Sequence, residues 1–162
     1  MNYLAGFTLL LIAILVMVAQ LKKHVPNPEE LILGNWTEKA WQYEKVSNPN
    51  ELHRKHSVDT MAQSVKDQLG KHLIIHSAET WHFNSHGKLL LRGADTVKMV
   101  NWKVKGRGHI LELEYANQVI EHYNITELTS TRLVLNFDSD IQVKGIAKLT
   151  FDNLDRVTQI QQ

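Results

Sequence analysis

Metal binding is the first chemistry to consider, because the chain contains nine histidines. His53 and His56 are three residues apart in a segment predicted to be helical, so they would project from neighbouring positions on one face. His72 and His76 are separated by Leu-Ile-Ile, a run that favours a strand, in which four residues span about 13 Å. The chain has no cysteine and no obvious carboxylate that completes a ligand set, so we expect surface histidines and no metal site.

Motifs for catalysis are missing from the sequence. It contains no nucleophile elbow, no zinc-protease helix motif, no phosphate-binding loop and no dinucleotide fingerprint. Gly106 and Gly108 have the spacing of part of a glycine-rich loop, but they lie between two predicted strands, where they form a turn. We therefore expect a protein that is not an enzyme, with no catalytic residues and no cofactor.

Basic side chains alternate along one predicted strand and its turn. Lys103, Lys105 and Arg107 would line one outward face, which could meet anionic headgroups or nucleic acid. Glu112 and Glu114 follow on the next strand, and the net charge of the whole chain is only +1, so the pattern favours a solvated face of mixed charge. We expect no nucleic-acid partner.

The first 21 residues are the most uneven part of the composition, because 17 of them are hydrophobic and none is charged. The 19 residues 3–21 would span about 28 Å as a helix, close to the hydrocarbon thickness of a bilayer. No positive side chain precedes this stretch and no good cleavage site ends it, which favours a single-pass anchor over residues 1–23 rather than a signal peptide. Lys22 and Lys23 follow directly, so the positive-inside rule favours a cytoplasmic C-terminal domain, while a periplasmic or extracellular one stays open.

A short connector, residues 24–33, would hold the following domain near the membrane surface. It carries a helix-start signal, with Asn27 as the N-cap and a proline at the first helical position. The domain itself, residues 34–162, opens with an aromatic strand over residues 34–46. The two tryptophans of this strand have opposite parity, which a bulge near Lys39 or one surface-lying tryptophan would explain.

One amphipathic helix should follow the first strand. A capping signature at Asn48, apolar positions from Leu52 to Leu69 and Gly70 in the stop position predict a helix of about five turns. After residue 72 the sequence alternates with period two and is interrupted by turn residues, as in antiparallel strands. The predicted strands are 73–84, 88–92, 97–105, 109–115, 118–126, 131–138 and 141–151, with a possible last one at 156–160.

These elements predict a mostly β fold, an eight- or nine-stranded antiparallel up-and-down barrel with one inserted helix, preceded by the transmembrane helix. Three motifs accompany this order: Gly34-x-Trp36 at the first strand, Trp81-x-Phe83 with Gly87 after the helix, and Ala147-Lys148-Leu149-Thr150-Phe151 in the last strand. Over residues 29–155 the chain thereby resembles the lipocalin-like (calycin) barrels. The resemblance implies that Trp36 packs across the closed end, beside an arginine for which Arg156 is the candidate. It also implies the binding of small apolar molecules.

An eight-stranded barrel is just wide enough to be filled by its own side chains or to hold one small ligand. Glu121 shares the parity of apolar neighbours on its strand, so it either orients the polar end of a ligand or lies solvated at the barrel mouth. The candidate ligand-binding residues are Trp81, Phe83, Trp102, Tyr115, Glu121, Tyr123 and Phe137, with Gly34 and Trp36 in a structural role.

Two functions remain open from the sequence. The first is a membrane-anchored, non-catalytic binding module for a lipid or another small apolar molecule. The second is an accessory or assembly subunit of a membrane protein complex, in which the barrel is filled and the outer surface interacts with partner subunits. The large predicted inward residues favour the second function, and the resemblance favours the first.

Overall fold

Eight antiparallel strands close into a barrel, as the alternation predicted. The computed structural model describes residues 27–45, 59–60, 62–139 and 145–156. Short 3₁₀ turns lie at Gly106–Gly108 and Ala116–Gln118. The helices and strands are α1 (Pro28–Leu31), β1 (Gly34–Lys45), β2 (Asp59–Thr60), α2 (Gln63–Gly70), β3 (Thr80–Phe83), β4 (Lys88–Arg92), β5 (Val97–Lys105), β6 (Ile110–Tyr115), β7 (Val119–Leu128), β8 (Arg132–Ser139) and β9 (Gly145–Asn153).

The barrel closes between its first and last strands. From β3 onward each strand pairs with the next one along the chain, and β1 pairs with both β3 and β9. The contact of β1 with β9 runs from Trp36, opposite Asn153, to Lys45, opposite Gly145. Each of the eight strands therefore has a neighbouring strand on both sides for at least part of its length, and none is a complete edge strand of the described barrel.

The predicted bulge in β1 is confirmed. The register of β1 against β9 shifts between Glu38 and Ala40, so one extra residue, Lys39, is inserted there. The insertion changes the parity of the strand. Trp36 and Trp41 are consequently both buried, with 0% and 5% of their surface exposed.

The predicted five-turn helix is wrong in its extent. The helix described here is the eight-residue α2, which ends at Gly70 as predicted, and β2 occupies residues 59–60 within the predicted helix. β3 pairs with β1 only as far as Thr37, and β2 pairs with the same side of β1 farther up, at Gln42 and Tyr43. Residues 59–60 are therefore part of a strand pair rather than of the predicted helix. The capping signature at Asn48 lies outside the described residues.

The predicted strand over residues 73–84 is also too long. Only Thr80–Phe83 form β3, and residues 71–79 make a sequence of turns instead. Leu73, Ile74 and Ile75 are apolar because they cover the open end of the barrel, where Ile74 and Ile75 are buried. A short apolar run has the same appearance in a buried strand and in a buried turn.

The two ends of the barrel carry different turns and covering segments. The bottom end carries α1 and the hairpin turns at residues 84–87, 106–109 and 129–131. The top end carries the turns at residues 93–96 and 116–118 and the covering segment 71–79, which we call the plug. In the parts of the chain that the structure describes, no helix has the length and hydrophobicity of a membrane span. The predicted anchor, residues 1–23, lies outside those parts.

Candidate functional site

The predicted interior aromatic residues lie together and contact one another. The ring centroids of Trp81 and Phe83 are 6.1 Å apart, and those of Phe83 and Trp102 are 5.4 Å apart. Higher in the barrel, the centroids of Tyr123 and Phe137 are 5.7 Å apart, in an edge-to-face arrangement. Such contacts stabilise aromatic pairs beyond the area they bury.

Most of the space inside the barrel is occupied by these rings and by aliphatic side chains. Trp81 has only 1% of its surface exposed and also packs on Phe151, with ring centroids 4.7 Å apart. The leucines that point inward from β6, β8 and β9 are fully buried. Because an internal void wide enough for water would expose the side chains around it, this burial indicates close packing. The leucines of these three strands are Leu111, Leu113, Leu133, Leu135 and Leu149.

Three buried indole N–H groups lack an acceptor within the described structure. They belong to Trp41, Trp81 and Trp102. Buried donors are satisfied in the great majority of native proteins, and an unmade hydrogen bond to a neutral donor costs about 1–3 kcal/mol. A ligand or water oxygen bound beside these N–H groups could therefore accept a hydrogen bond from them.

The plug closes the top end and is attached at several points. Ile74 and Ile75 point into the barrel, with 4% and 2% of their surface exposed. Turns within the plug are closed by the bond from His76 N to the Leu73 carbonyl, 3.1 Å, and by others of the same kind. A Cβ atom on Gly93, in the β4–β5 turn, would lie 1.9 Å from the Ser77 carbonyl oxygen. The plug therefore fits directly against the backbone of this turn.

Glu121 holds the plug in place. Its carboxylate accepts a hydrogen bond from the backbone N–H of Ile74, at 2.8 Å, and another from the Tyr123 hydroxyl, at 2.5 Å. The Lys98 ammonium donates to the Ile74 carbonyl at 3.1 Å. The sequence offered two roles for Glu121, toward a ligand or toward solvent. In the structure its oxygens bond to the plug and to a neighbouring side chain.

Burial dominates the electrostatics of this contact. It raises the pKa of the Glu121 carboxyl, and the bonds from Tyr123 and Ile74 and the charge of Lys98 oppose the rise only in part. Burial also raises the pKa of the Tyr123 hydroxyl well above its ordinary value, and the nearby Glu121 charge adds to the rise. The carboxyl of Glu121 is thus easier to protonate than an exposed one, whereas Tyr123 stays neutral.

Tyr115 is the one predicted ligand-binding residue that is well exposed. It has inward parity on β6, but it is the last residue of the strand, and 40% of its surface is exposed. Its cross-strand partner Val119 is 46% exposed. Both residues are exposed because β6 ends and β7 begins at their level, at the top end of the barrel.

The bottom end is closed by α1 and the Gly34-x-Trp36 motif. Asn27 caps α1 as predicted, by accepting a bond from Glu29 N at 3.1 Å. Ile32 is fully buried, and its carbonyl accepts a hydrogen bond of 2.7 Å from Trp36 Nε1. Residues 27–33, assigned from the sequence to the connector, therefore form part of the barrel closure.

The segment that follows β9 is bonded to the Gly34-x-Trp36 motif through Asp155. The Asp155 carboxylate accepts bonds of 2.9 Å from both the backbone N–H and the side-chain amide of Asn35. These bonds hold the pKa of Asp155 below its ordinary value, and the bond from the Asn35 side chain has the larger effect. Gly34 has φ +112°, and a Cβ there would lie 2.7 Å from Asp155 Oδ2, which explains the glycine of the motif. Arg156, the predicted neighbour of Trp36, is exposed.

Three cavities lined by described residues lie at the bottom end and beside α2. One of about 280 Å³ lies between α2, the plug and the β4–β5 turn, with Trp41 and Ile75 in its wall. Two more, of about 430 and 210 Å³, flank α1 at the bottom end. Each is open to solvent.

The outer wall contains one nearly buried acid. Glu112 on β6 accepts a bond from the Lys105 ammonium and one of 2.8 Å from His122 Nε2, and its side chain is 7% exposed. These bonds lower the pKa of Glu112, and the bond from Lys105 has the larger effect. Lys105 is thus paired with Glu112, whereas Lys103 and Arg107, predicted on the same face, form no ion pair with a described residue; all three side chains are exposed.

Metal ligands do not gather in the described part of the chain, where no three side chains of His, Cys, Asp or Glu come close enough to hold an ion. His72 is exposed and His76 half-buried, both in the plug. His53 and His56 lie outside the described residues. No protein-family model, no curated protein and no solved structure matches the chain.

Proposed function

We propose that this protein is a membrane-tethered, non-catalytic accessory subunit, whose filled barrel presents an outer surface to partner subunits of a membrane complex. The filled interior is the observation that carries the proposal. Trp81 and Phe151 pack against each other inside the lower part of the barrel, the plug covers the top end, and α1 lies on the bottom end. A rigid core of this kind keeps the positions of surface residues constant.

The tether is proposed from the sequence. Residues 1–21 carry no charge and are long enough to cross a bilayer, and the described chain begins at Asn27, beside the bottom end of the barrel. The eight-stranded meander and the burial of Trp36 beside α1 support the proposed kinship with lipocalin-like barrels. A cytoplasmic position of the barrel stays the favoured prediction from Lys22 and Lys23.

Native mass spectrometry of the full chain, extracted from its membrane with mild detergent, tests this function. We expect masses of the 18.6 kDa chain with stoichiometric partner subunits and without a retained small molecule. The same extraction with a crosslinker added before detergent controls for partners lost during solubilisation. A bare monomer in both preparations, or a chain with one small molecule and no partner, would contradict the proposal.

Binding of a small apolar molecule is the second candidate function. The unpartnered indole N–H groups of Trp81 and Trp102 favour it, because a ligand oxygen could accept a bond from either. Entry would require release of the plug from Glu121 and movement of the interior rings. A retained molecule with hydrogen-bond acceptors, found in the same mass spectra, would support this candidate over the first.

A further inference from the structure

The position of α1 places one basic turn beside the point where the chain leaves the barrel toward its apolar segment. The Pro28 ring packs directly on Gly108, where an added Cβ would lie 2.6 Å from Pro28 Cγ. Arg107 is the neighbour of Gly108 at the tip of the β5–β6 turn and is exposed. Arg107 and the start of the described chain at Asn27 therefore lie at the same side of the bottom end.

The backbone of this turn holds Arg107 in an unfavourable conformation. Its φ is +59°, between Gly106 at +59° and Gly108 at +100°. A left-handed conformation costs a non-glycine residue about 1–2 kcal/mol, and glycine would avoid this cost. A strained residue at an exposed tip is a reason to look for a function of its side chain.

Arg107 and Lys103 carry positive charge that the barrel does not use. Within the described ranges neither forms an ion pair, whereas Lys105 is bonded to Glu112. Glu29 and Glu30 on α1 line one of the two bottom-end cavities together with Lys103, and Glu127 lines the other together with Arg107. Lys22 and Lys23, between the apolar segment and α1 in the sequence, add two more positive charges, so these four basic residues outnumber the three acids that line the two cavities.

Chain length limits how far this end can lie from a bilayer. Six Cα steps separate Leu21 from Asn27, and at about 3.6 Å per step they span at most about 22 Å. The headgroup layer is roughly 5–7 Å deep and the screening length at physiological salt is about 8 Å. At full extension the bottom end would thus lie about 15–17 Å beyond the headgroup layer, roughly two screening lengths, and any shorter path of the connector brings it to where headgroup charge acts.

We infer that the bottom end docks on the anionic headgroups of the bilayer that holds the anchor, through Arg107 and Lys103. This inference rests on the tether of the proposed function. It assigns the barrel an orientation, with the bottom end on the membrane and the top end, with the plug, directed away from it. The partner surface of an accessory subunit then comprises the walls and the top end.

Fluorescence quenching in nanodiscs tests the orientation. The chain has no cysteine, so a bimane label can be placed uniquely at Ser85→Cys on the bottom end or Ala94→Cys on the top end. The full chain is reconstituted in discs of phosphatidylcholine with phosphatidylglycerol, or of phosphatidylcholine alone, each with a headgroup-nitroxide lipid. We expect quenching of the Ser85→Cys label, strongest in the anionic discs, and little quenching of the Ala94→Cys label.

Matched charge variants identify the contact. Arg107→Gln with Lys103→Gln should reduce the docked population, by roughly fivefold for each charge removed, and Arg107→Lys should restore it. Arg92→Gln with Lys71→Gln makes the same charge change at the top end and should have no effect. Equal quenching at both labels, equal quenching in both lipids or equal loss in both double variants would contradict docking. A chain that does not co-elute with discs would contradict the tether itself, and the docking with it.

Discussion

The two ends of the barrel are closed by different kinds of contact. At the bottom end the closing bond joins a neutral indole to a backbone carbonyl, Trp36 Nε1 to Ile32 O. At the top end the half-buried carboxylate of Glu121 holds the plug by accepting a hydrogen bond from the backbone N–H of Ile74. The Trp36–Ile32 bond therefore contains no titratable group, whereas the contact that holds the plug depends on the charge of one acid.

The contacts also differ in how far apart their residues are in sequence. Ile32 and Trp36 are four residues apart, so the bottom closure forms locally once β1 is in place. Glu121 and Ile74 are 47 residues apart, and the plug has no helix or strand of its own. The top end should therefore open at a lower free energy than the bottom end.

Removal of the bottom closure should have the largest effect on stability. Trp36→Ala deletes a fully buried side chain and should lower the free energy of unfolding by about 3–5 kcal/mol. Urea unfolding followed by circular dichroism measures this change. A loss below about 1 kcal/mol would show that Trp36 is not needed to close the bottom end.

A pair of phenylalanine variants separates the hydrogen bond from the lost volume. Trp36→Phe removes a bonded indole N–H, whereas Trp81→Phe removes one without a partner, and both side chains are almost completely buried. We expect Trp36→Phe to cost about 1–3 kcal/mol more than Trp81→Phe in the same unfolding measurement, because it leaves the Ile32 carbonyl unsatisfied. Equal costs would mean that the bond adds nothing to the closure.

Displacement of the plug should have the next largest effect. Gly93→Ala places a Cβ against the Ser77 carbonyl, so the plug has to shift, at a cost of about 1–3 kcal/mol. Hydrogen exchange of the Ile74 amide should become faster in this variant. Gly87→Ala is the control, because it adds strain at φ +69° on the bottom end, with its nearest contact at an ordinary 3.5 Å. Faster exchange at Ile74 in Gly87→Ala as well would contradict a separate opening of the top end.

The smallest effects should have opposite pH dependence at the two ends. The pKa of Glu121 is raised above its ordinary value of 4.5, so its contribution to stability is greatest below about pH 4.5 and falls as pH rises through the folded-state pKa. The pKa of Asp155 is lowered from 3.8, so its contribution is present above about pH 3.8 and is lost as pH falls through the folded-state pKa.

Two isosteric variants measure these contributions. Compared with the natural chain, Glu121→Gln should flatten the decrease in unfolding free energy above pH 4.5, and Asp155→Asn should remove the acid-induced loss below pH 3.8. Urea unfolding from pH 3 to pH 8 provides the profiles. Parallel profiles for the two variants would contradict the difference between the ends.

Much of the barrel wall could be predicted from the sequence, because alternation with period two survives wherever one face is buried. The predicted ranges of β4 and β5, 88–92 and 97–105, match the structure to the residue. The prediction failed at residues 73–79, since the apolar run there covers the barrel instead of joining its wall.

The candidate site was less accessible to sequence reasoning. The parity of Glu121 placed it correctly on the inward side of β7, but its partner is a backbone N–H, which carries no side-chain signal. The same holds for Asp155, whose partner Asn35 is 120 residues away. Whether the interior is filled depends on how large side chains from all eight strands fit together, and no local pattern contains that information.

Tryptophan fluorescence tests the filled barrel most directly. All four tryptophans of the chain lie in the barrel domain, with at most 7% of their surface exposed, so their emission reports on the interior. The full chain in detergent micelles is titrated with 9,10-dibromostearic acid, and with stearic acid as the non-quenching control. A filled barrel predicts only weak, non-saturable quenching. Saturable quenching at one molecule of acid per chain would show that the barrel holds an apolar ligand and would contradict the account.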